Sequence, residues 1–356
     1  MMLRASVAII LMILLSCTSA AQDLPPEMKA MALTAKAFRK AADKIEPSLV
    51  SIESFGGVGA KQGRIGGIRK QGEGNTTGVI ISEDGYILTS TFNFIQNPPI
   101  VTVITNDGKK RTANLLGRDD TRKVCLLKID GVKDLPVPEM LPVEDVRVGQ
   151  WSVSIGVGYG DSSPAISMGI ISAKNRIGGR ALQTDANISP ANYGGPLVDI
   201  EGRMLGICVP MNPQSQAVGA GVEWYDSGIG FAVPVTDFNQ IIDRLKDGST
   251  ISPGFMGIQS SPNPNGDGLV VSEIVKESAA DEVGLKKGDI VLSFNGEPVS
   301  DMLRLRQLVN RFEAGEKVEL VFQRGKEDSV KVTLTLGPPP KPKDQKDLPF
   351  ELPKIR

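Results

Sequence analysis

The chain has 356 residues, enough for two domains of ordinary size, and its 40% apolar and 23% charged residues are the composition of a folded protein rather than a disordered one. Forty Lys and Arg against 41 Asp and Glu leave a net charge of −1, which argues against a nucleic-acid partner. The count of zero for histidine excludes any Ser-His-Asp or Cys-His mechanism within the chain, and any zinc site built on imidazole. No cofactor or metal is expected.

Residues 1–21 read as a secretory signal: Arg4, then the apolar run Val7 to Leu15, then the small residues Ser19-Ala20-Ala21 before Gln22. Leu14-Leu15-Ser16-Cys17 resembles a bacterial lipobox, so a lipid anchor at Cys17 stands as the alternative fate of the leader. Either route predicts an exported protein of the periplasm or cell envelope. Without Cys17 two cysteines remain, Cys125 and Cys208, both in apolar strand-like runs. Buried free thiols and a disulfide are both compatible with that pattern.

Residues 22–46 predict a helical segment, because Glu27 to Glu46 is rich in Ala, Lys, Met and Leu between prolines. From Leu49 to Val235 short aliphatic runs alternate with Gly, Asn, Asp and Ser turns. Examples are Gly78 to Ile81, Tyr86 to Thr89, Ile100 to Thr105, Val124 to Ile129, Gly169 to Ser172 and Leu205 to Val209. Many short strands at this spacing predict a sandwich or barrel. Phe55 to Gly74 is Gly- and Lys/Arg-rich without periodicity and reads as a long surface loop.

Phe238, Ile241, Ile242 and Leu245 mark one face of a helix that stops at Gly248. A second unit follows, with strands at Gly268 to Ile274 and Ile290 to Phe294, an Asn295-Gly296 turn and a helix from Ser300 to Phe312. Strands at Lys317 to Gln323 and Ser329 to Leu336 complete it. Residues 338–356 are rich in Pro and Lys without an apolar period and read as a disordered tail.

Several of these segments resemble the HtrA/Deg (DegP-like) serine proteases. Thr77-Gly78-Val79-Ile80-Ile81, Gly85-Tyr86-Ile87-Leu88-Thr89 and Leu126-Leu127-Lys128-Ile129 are similar to the family's first barrel. Met168-Gly169-Ile170-Ile171-Ser172-Ala173, Thr184-Asp185-Ala186, Pro190-Ala191-Asn192-Tyr193-Gly194-Gly195-Pro196-Leu197 and Gly228 to Pro234 are similar to its second. Gly284-Leu285-Lys286-Lys287-Gly288-Asp289-Ile290 and Phe294-Asn295-Gly296 look like its PDZ domain. The resemblance implies a mainly β protein: a trypsin-like double six-stranded β-barrel over 47–246, then a PDZ domain of the α+β class over 253–337.

The chain departs from that family at the triad. Gly-Tyr-Ile-Leu-Thr-Asn-x-His is the family pattern, and this sequence places Phe92 at its last position. Lys123 stands where the acid precedes the Leu-Leu-Lys strand, since Gly117 and Asp119 match the family's upstream Gly-x-Asp and hold the register. Tyr193 replaces the serine of Gly-Asn-Ser-Gly-Gly, and Ala191 replaces its first glycine beside Asn192. Phe92 cannot accept a proton, and Lys123 reverses the charge that orients an imidazole. Tyr193 carries a phenol that ionises only near pH 10 in isolation. Ala at 191 resists the positive φ that glycine there can take to aim the oxyanion amides. These changes predict a pseudoprotease; the competing reading is an active serine endopeptidase of the family. A Ser-Lys dyad of Lys123 with Ser90 or Ser189 is the remaining chemical alternative. Phe92 and Tyr193 are expected to pack together in the former cleft, with Lys123 snorkelling outwards or meeting an acid.

Gly254-Phe255-Met256-Gly257-Ile258 resembles the carboxylate-binding loop and groove strand of the PDZ domain, with Phe255 and Met256 lining apolar pockets. The alternative for Phe255 and Ile258 is a place in the strand core. The resemblance implies peptides or unfolded proteins as partners, and assembly as a homotrimer or with an active paralogue.

Overall fold

A computed structural model describes residues 26–55, 76–94, 97–158, 163–212, 221, 227–325 and 327–340. The expected leader with Cys17, the expected loop beyond Phe55 and all but the first three residues of the expected 338–356 tail lie outside the described residues.

Helix α1 (Pro26–Ile45) opens the described chain. Its buried residues Phe38, Ala41, Ala42 and Ile45 recur at helical spacing and seat it on the second barrel, where the Phe38 and Trp151 rings meet edge-on at 5.3 Å. Lys44 reaches the Glu139 carboxylate at 2.7 Å. A 3-10 turn at Glu46–Ser48 leads into the first barrel.

That barrel comprises β1 (Leu49–Phe55), β2 (Thr76–Ile80), β3 (Tyr86–Ser90), β4 (Ile100–Thr105), β5 (Lys110–Asp119) and β6 (Val124–Ile129). The order β5-β4-β1-β2-β3-β6 closes through antiparallel pairing of β5 with β6. Its interior is aliphatic: Val50, Ile52, Ile80, Ile87, Val103, Leu127 and Ile129 pack with Phe94 and Cys125. The second barrel holds β7 (Trp151–Gly156), β8 (Ala165–Asn175), β9 (Ala181–Thr184), β10 (Pro196–Val198), β11 (Met204–Val209) and β12 (Gly230–Pro234). It closes in the order β10-β11-β12-β9-β8-β7. The largest apolar cluster lies between the barrels and under α1, joining Val79, Leu88, Val124 and Leu126 to Val153, Ile155, Ile207 and Val233. Burial of this seam fixes the two barrels face to face.

Helix α2 (Phe238–Lys246) buries Phe238, Ile241 and Leu245 and crosses back over the first barrel. The residues after it are not a free linker. β13 (Thr250–Ile251) pairs parallel with Arg118–Asp119 of β5, and Ile251 is buried in the inter-barrel cluster.

The C-terminal unit has the sheet order β14 (Ile258–Pro262), β15 (Leu269–Ile274), β16 (Ile290–Phe294), β18 (Lys317–Gln323) and β19 (Val330–Thr335), with β17 (Glu297–Pro298) beside β16. Short helix α3 (Ala279–Glu282) and helix α4 (Met302–Val309) cover it. Asp301 caps α4 by accepting a hydrogen bond from the Arg304 N–H. Asn295 and Gly296 both take positive φ in the tight turn before β17, as an Asn-Gly pair can. The unit has its own core, centred on Leu269, Val291, Phe294, Leu305, Leu320 and Leu334.

Candidate functional site

Three segments converge where the barrels meet. After β3 the chain tightens into a 3-10 turn, Thr91–Phe94, which carries Phe92 inwards. The turn between β5 and β6 ends at Lys123, which has φ +62°. The loop after β9 supplies Ala191, Asn192 and Tyr193.

Phe92 and Tyr193 face each other from opposite barrels, their centroids 5.1 Å apart in an edge-to-face arrangement. Phe92 is 5% exposed and Tyr193 3%. Both belong to the cluster of Ile171, Leu182, Leu197, Leu205 and Cys208 inside the second barrel. A side chain of the first barrel thus completes the core of the second. Neighbouring polar groups close the seam: Asn93 Nδ2 donates to the Tyr193 carbonyl at 3.2 Å, and Thr77 Oγ1 donates to the Ala191 carbonyl at 2.7 Å. Gly194 lies so close that a Cβ there would sit 2.2 Å from Thr89 Oγ1, and its φ is +88°.

Lys123 is 4% exposed, so the outward-snorkelling arrangement does not occur. Burial pushes its ammonium down to about 8, against the upward pull of Asp120 and Asp119. Its carbonyl accepts hydrogen bonds from the Thr91 N–H and the Ser90 hydroxyl. Ser189 Oγ donates to Asn192 Oδ1 at 2.9 Å. The two serines of the dyad alternative therefore direct their protons at other acceptors.

Two amides of this loop are engaged within the protein. Both Asn192 N–H and Tyr193 N–H donate to the Ser189 carbonyl, at 2.8 and 3.2 Å. A donor committed to an internal carbonyl is not aimed at a developing oxyanion. Cys125 and Cys208 are free and buried, and burial raises both thiols, Cys125 to about 12.

The turn that carries Lys123 is held by an ionic cluster no local pattern announces. Asp119 accepts from the Thr121 and Arg122 amides and from the Arg122 guanidinium. Arg122 also binds Asp237 at 3.1 Å and Glu313 at 2.8 Å, and Arg244 binds Glu313 at 2.8 Å. Glu313 belongs to the C-terminal unit, so this cluster ties that unit to the first barrel one residue from Lys123.

At the C-terminal unit, β14 is the edge of its sheet, with α4 alongside; Ser260 of β14 and Met302 of α4 are neighbours across the gap. The Gly254 amide donates to the Phe312 carbonyl and the Phe255 amide to Gly337, so these two are engaged within the fold. Among the described residues no acceptor faces the amides of Met256 and Gly257. Gly257 has φ +87° and lies against Ser278, which turns the chain into β14. Met256 is a core residue rather than a pocket wall, while Phe255 and Ile258 are half-buried.

Comparison with known proteins matches residues 76–207 to the trypsin-like peptidase domain and residues 254–336 to the PDZ domain. A probable periplasmic serine endoprotease DegP-like of Marinomonas is 33% identical over 282 residues, 74% of this chain and 57% of the relative. Its counterpart in Chlamydia muridarum is 31% identical over 279 residues, 74% of this chain and 54% of the relative. The chain belongs to the HtrA/DegP-like family. Among solved structures, the HtrA-like fold is shared with the serine endoprotease of Yersinia pestis at TM-score 0.62 and 27% identity, covering 85% of this chain and 97% of that one. The HtrA-type protease AlgW with decapeptide matches at TM-score 0.61 and 27% identity, covering 86% and 99%. The chain spans a little over half the length of the curated DegP-like relatives it matches. Those HtrA-like relatives are named as proteases, whereas this chain contains no histidine.

Proposed function

We propose that this HtrA-like chain is a pseudoprotease: it binds peptide or unfolded-protein segments through its PDZ domain and serves as scaffold, chaperone or regulator in envelope protein quality control. The observation that carries the reading is the contact of Phe92 with Tyr193, in a chain without a single histidine. On this reading Phe92, Lys123 and Tyr193 are the former base, acid and nucleophile positions. Phe92 can neither accept nor give a proton, and although the Lys123 ammonium is lowered to about 8, the hydroxyls of Ser90 and Ser189 donate elsewhere, so the amine has no serine nucleophile to activate. The inward-pointing Tyr193 amide supports the same conclusion, because an oxyanion would lack that donor. The peptide site is the edge of β14, with the Met256 and Gly257 amides as receptors for a terminal carboxylate and the β14–α4 gap as the groove.

The competing reading, an active serine endopeptidase, rests on the relatives' names. Purified protein is assayed on casein and fluorogenic peptides with and without a serine-directed inhibitor, beside binding of peptides with apolar C-termini and their C-terminal amides. The expected result is no inhibitor-sensitive turnover, with binding that weakens on amidation. Turnover abolished by the inhibitor overturns the pseudoprotease, and binding indifferent to amidation overturns carboxylate capture. Self-assembly is favoured by one feature: Trp151, beside Phe38 of α1, is 46% exposed, and Ile166 and Met168 on the neighbouring strand β8 are exposed as well.

A further inference from the structure

Helix α1 carries two opposed faces. Phe38, Ala41, Ala42 and Ile45 are buried against the second barrel. Lys29, Leu33, Lys36 and Lys40 recur at the same helical spacing on the far side, and all four are exposed. Arg39 flanks this stripe. Lys44 continues it, with its ammonium on Glu139. Asp43 is the one acidic side chain among the described residues of this face. Lys36, Arg39 and Lys40 form no ion pair among the described residues. In a chain of net charge −1 the positive face is local, and it follows directly on the N-terminal leader.

Leu33 lies within this basic stripe and is 66% exposed. Phosphate-backbone binding to a nucleic acid makes no use of that side chain, whereas the headgroup region of a bilayer accepts an apolar residue between lysines. The helix is about 30 Å long at 1.5 Å per residue, so its outer face can lie flat along a surface. The apolar run Val7 to Leu15 ends eleven residues before Pro26, so on the expected reading as an export leader this helix is the first folded element to leave a membrane.

We propose that the outer face of α1 docks the protein on an anionic lipid surface, with Lys36, Arg39 and Lys40 over the headgroups and Leu33 in the interface. The docked face is opposite the barrel-bound one, so lipid contact requires no rearrangement of the fold.

The test is sedimentation of the full chain with phosphatidylcholine vesicles, with and without phosphatidylglycerol, at low and high salt. The leader carries Arg4, so its own charge-dependent contribution is read as the binding retained when Lys36, Arg39 and Lys40 are all substituted. The expected result is an added, salt-sensitive component on phosphatidylglycerol vesicles. Each basic residue near such a surface is worth about fivefold in partitioning, so Lys36→Gln/Arg39→Gln/Lys40→Gln reduces that component about 100-fold. Leu33→Gln weakens it on its own. Lys109→Glu/Lys110→Glu, on exposed lysines of the first barrel, leaves it intact. The proposal is overturned if the wild-type chain ignores phosphatidylglycerol, or if the triple variant binds as the wild type does. It also falls if the Lys109/Lys110 control loses as much, or if the triple variant alters the assembly state by light scattering while lipid binding persists. Equal salt-sensitive retention of the protein on DNA reassigns the face to polyanions in general and overturns it as well. Because the substituted side chains are exposed, unchanged circular dichroism accompanies each variant.

Discussion

Replacing Phe92 with alanine asks what its ring does between the barrels. In the structure the ring is 5% exposed, meets Tyr193 edge-on, and belongs to the same cluster as Leu197, Leu205 and Cys208. A buried phenylalanine removes roughly 170 Å² of side chain from water, worth about 4 kcal/mol at roughly 25 cal/mol per Å². Truncation to alanine in a well-packed core costs about 3–5 kcal/mol, and the aromatic pair adds about 1 kcal/mol of coupling. Phe92→Ala is therefore expected to lower the stability of the second barrel by about 4 kcal/mol, although its Cα belongs to the first. Tyr193→Ala does likewise, and the double variant loses about 1 kcal/mol less than the sum. A chain with three packed units need not unfold in one step, so a local readout is preferable. Labelling of the Cys208 thiol under increasing urea, read by peptide mass, reports the opening of the cluster that contains Phe92. A loss below about 1 kcal/mol with no coupling would show that the rings merely line an accessible pocket, and would remove the main support for the pseudoprotease reading.

Two further expectations concern buried charge. The Lys123 ammonium titrates near 8 in the folded chain, against 10.5 in its ordinary setting. Its folded value is the lower, so the penalty is complete below pH 8, and stability rises as the pH climbs from there to the unfolded value. Lys123→Met should stabilise the protein by up to about 3 kcal/mol at neutral pH and remove that rise, as measured by urea midpoints from pH 7 to about pH 10; a slope unchanged in the variant refutes the assignment. For Glu313, burial raises the carboxyl, but Arg122 and Arg244 outweigh it and leave it below the ordinary glutamate value. Its contribution is present above that ordinary value and is lost as the pH falls through the lowered one. Glu313→Gln should accelerate proteolytic cutting around residues 247–253 severalfold while leaving the PDZ domain folded, whereas Arg122→Met, which strands Asp119 and Asp237, should cost about 3–5 kcal/mol in the barrels; identical digestion of wild type and Glu313→Gln counts against the clamp.

Strands with continuous β-branched or aliphatic runs, such as Ile100–Thr105 and Val124–Ile129, were legible from composition alone. The harder ones carry polar faces. β5 presents Lys110, Arg111, Asn114 and Arg118 without a continuous apolar run, yet it pairs with three neighbours. β14 is a Gln-Ser-Ser-Pro edge whose pairing partner, not its own residues, makes it a strand. At the cleft, motif register was enough to bring Phe92 and Tyr193 to one place. The burial of Lys123 was not legible, because the choice between an outward and an inward amine depends on what packs above the turn. The Arg122 cluster was beyond reach for a similar reason: Arg122 and Glu313 are 191 positions apart. Met256 shows the limit of motif transfer, since its place in the core depends on helix α3 and strand β15 behind the loop.

The pairing of β13 with β5 bears on how this chain can be divided. Ser249 and Ile251 accept hydrogen bonds from Arg118 and Asp120, and Ile251 is sealed among side chains of both barrels. A truncation placed after residue 246, where the last barrel helix ends, would strip a strand from the first barrel and leave Asp119's neighbourhood open to water. A fragment beginning upstream of Thr250 would instead carry an orphaned apolar stub into solution. Excision of either half is therefore best made beyond Ile251, and the short hinge that domain grafting usually exploits is, in this protein, part of the wall.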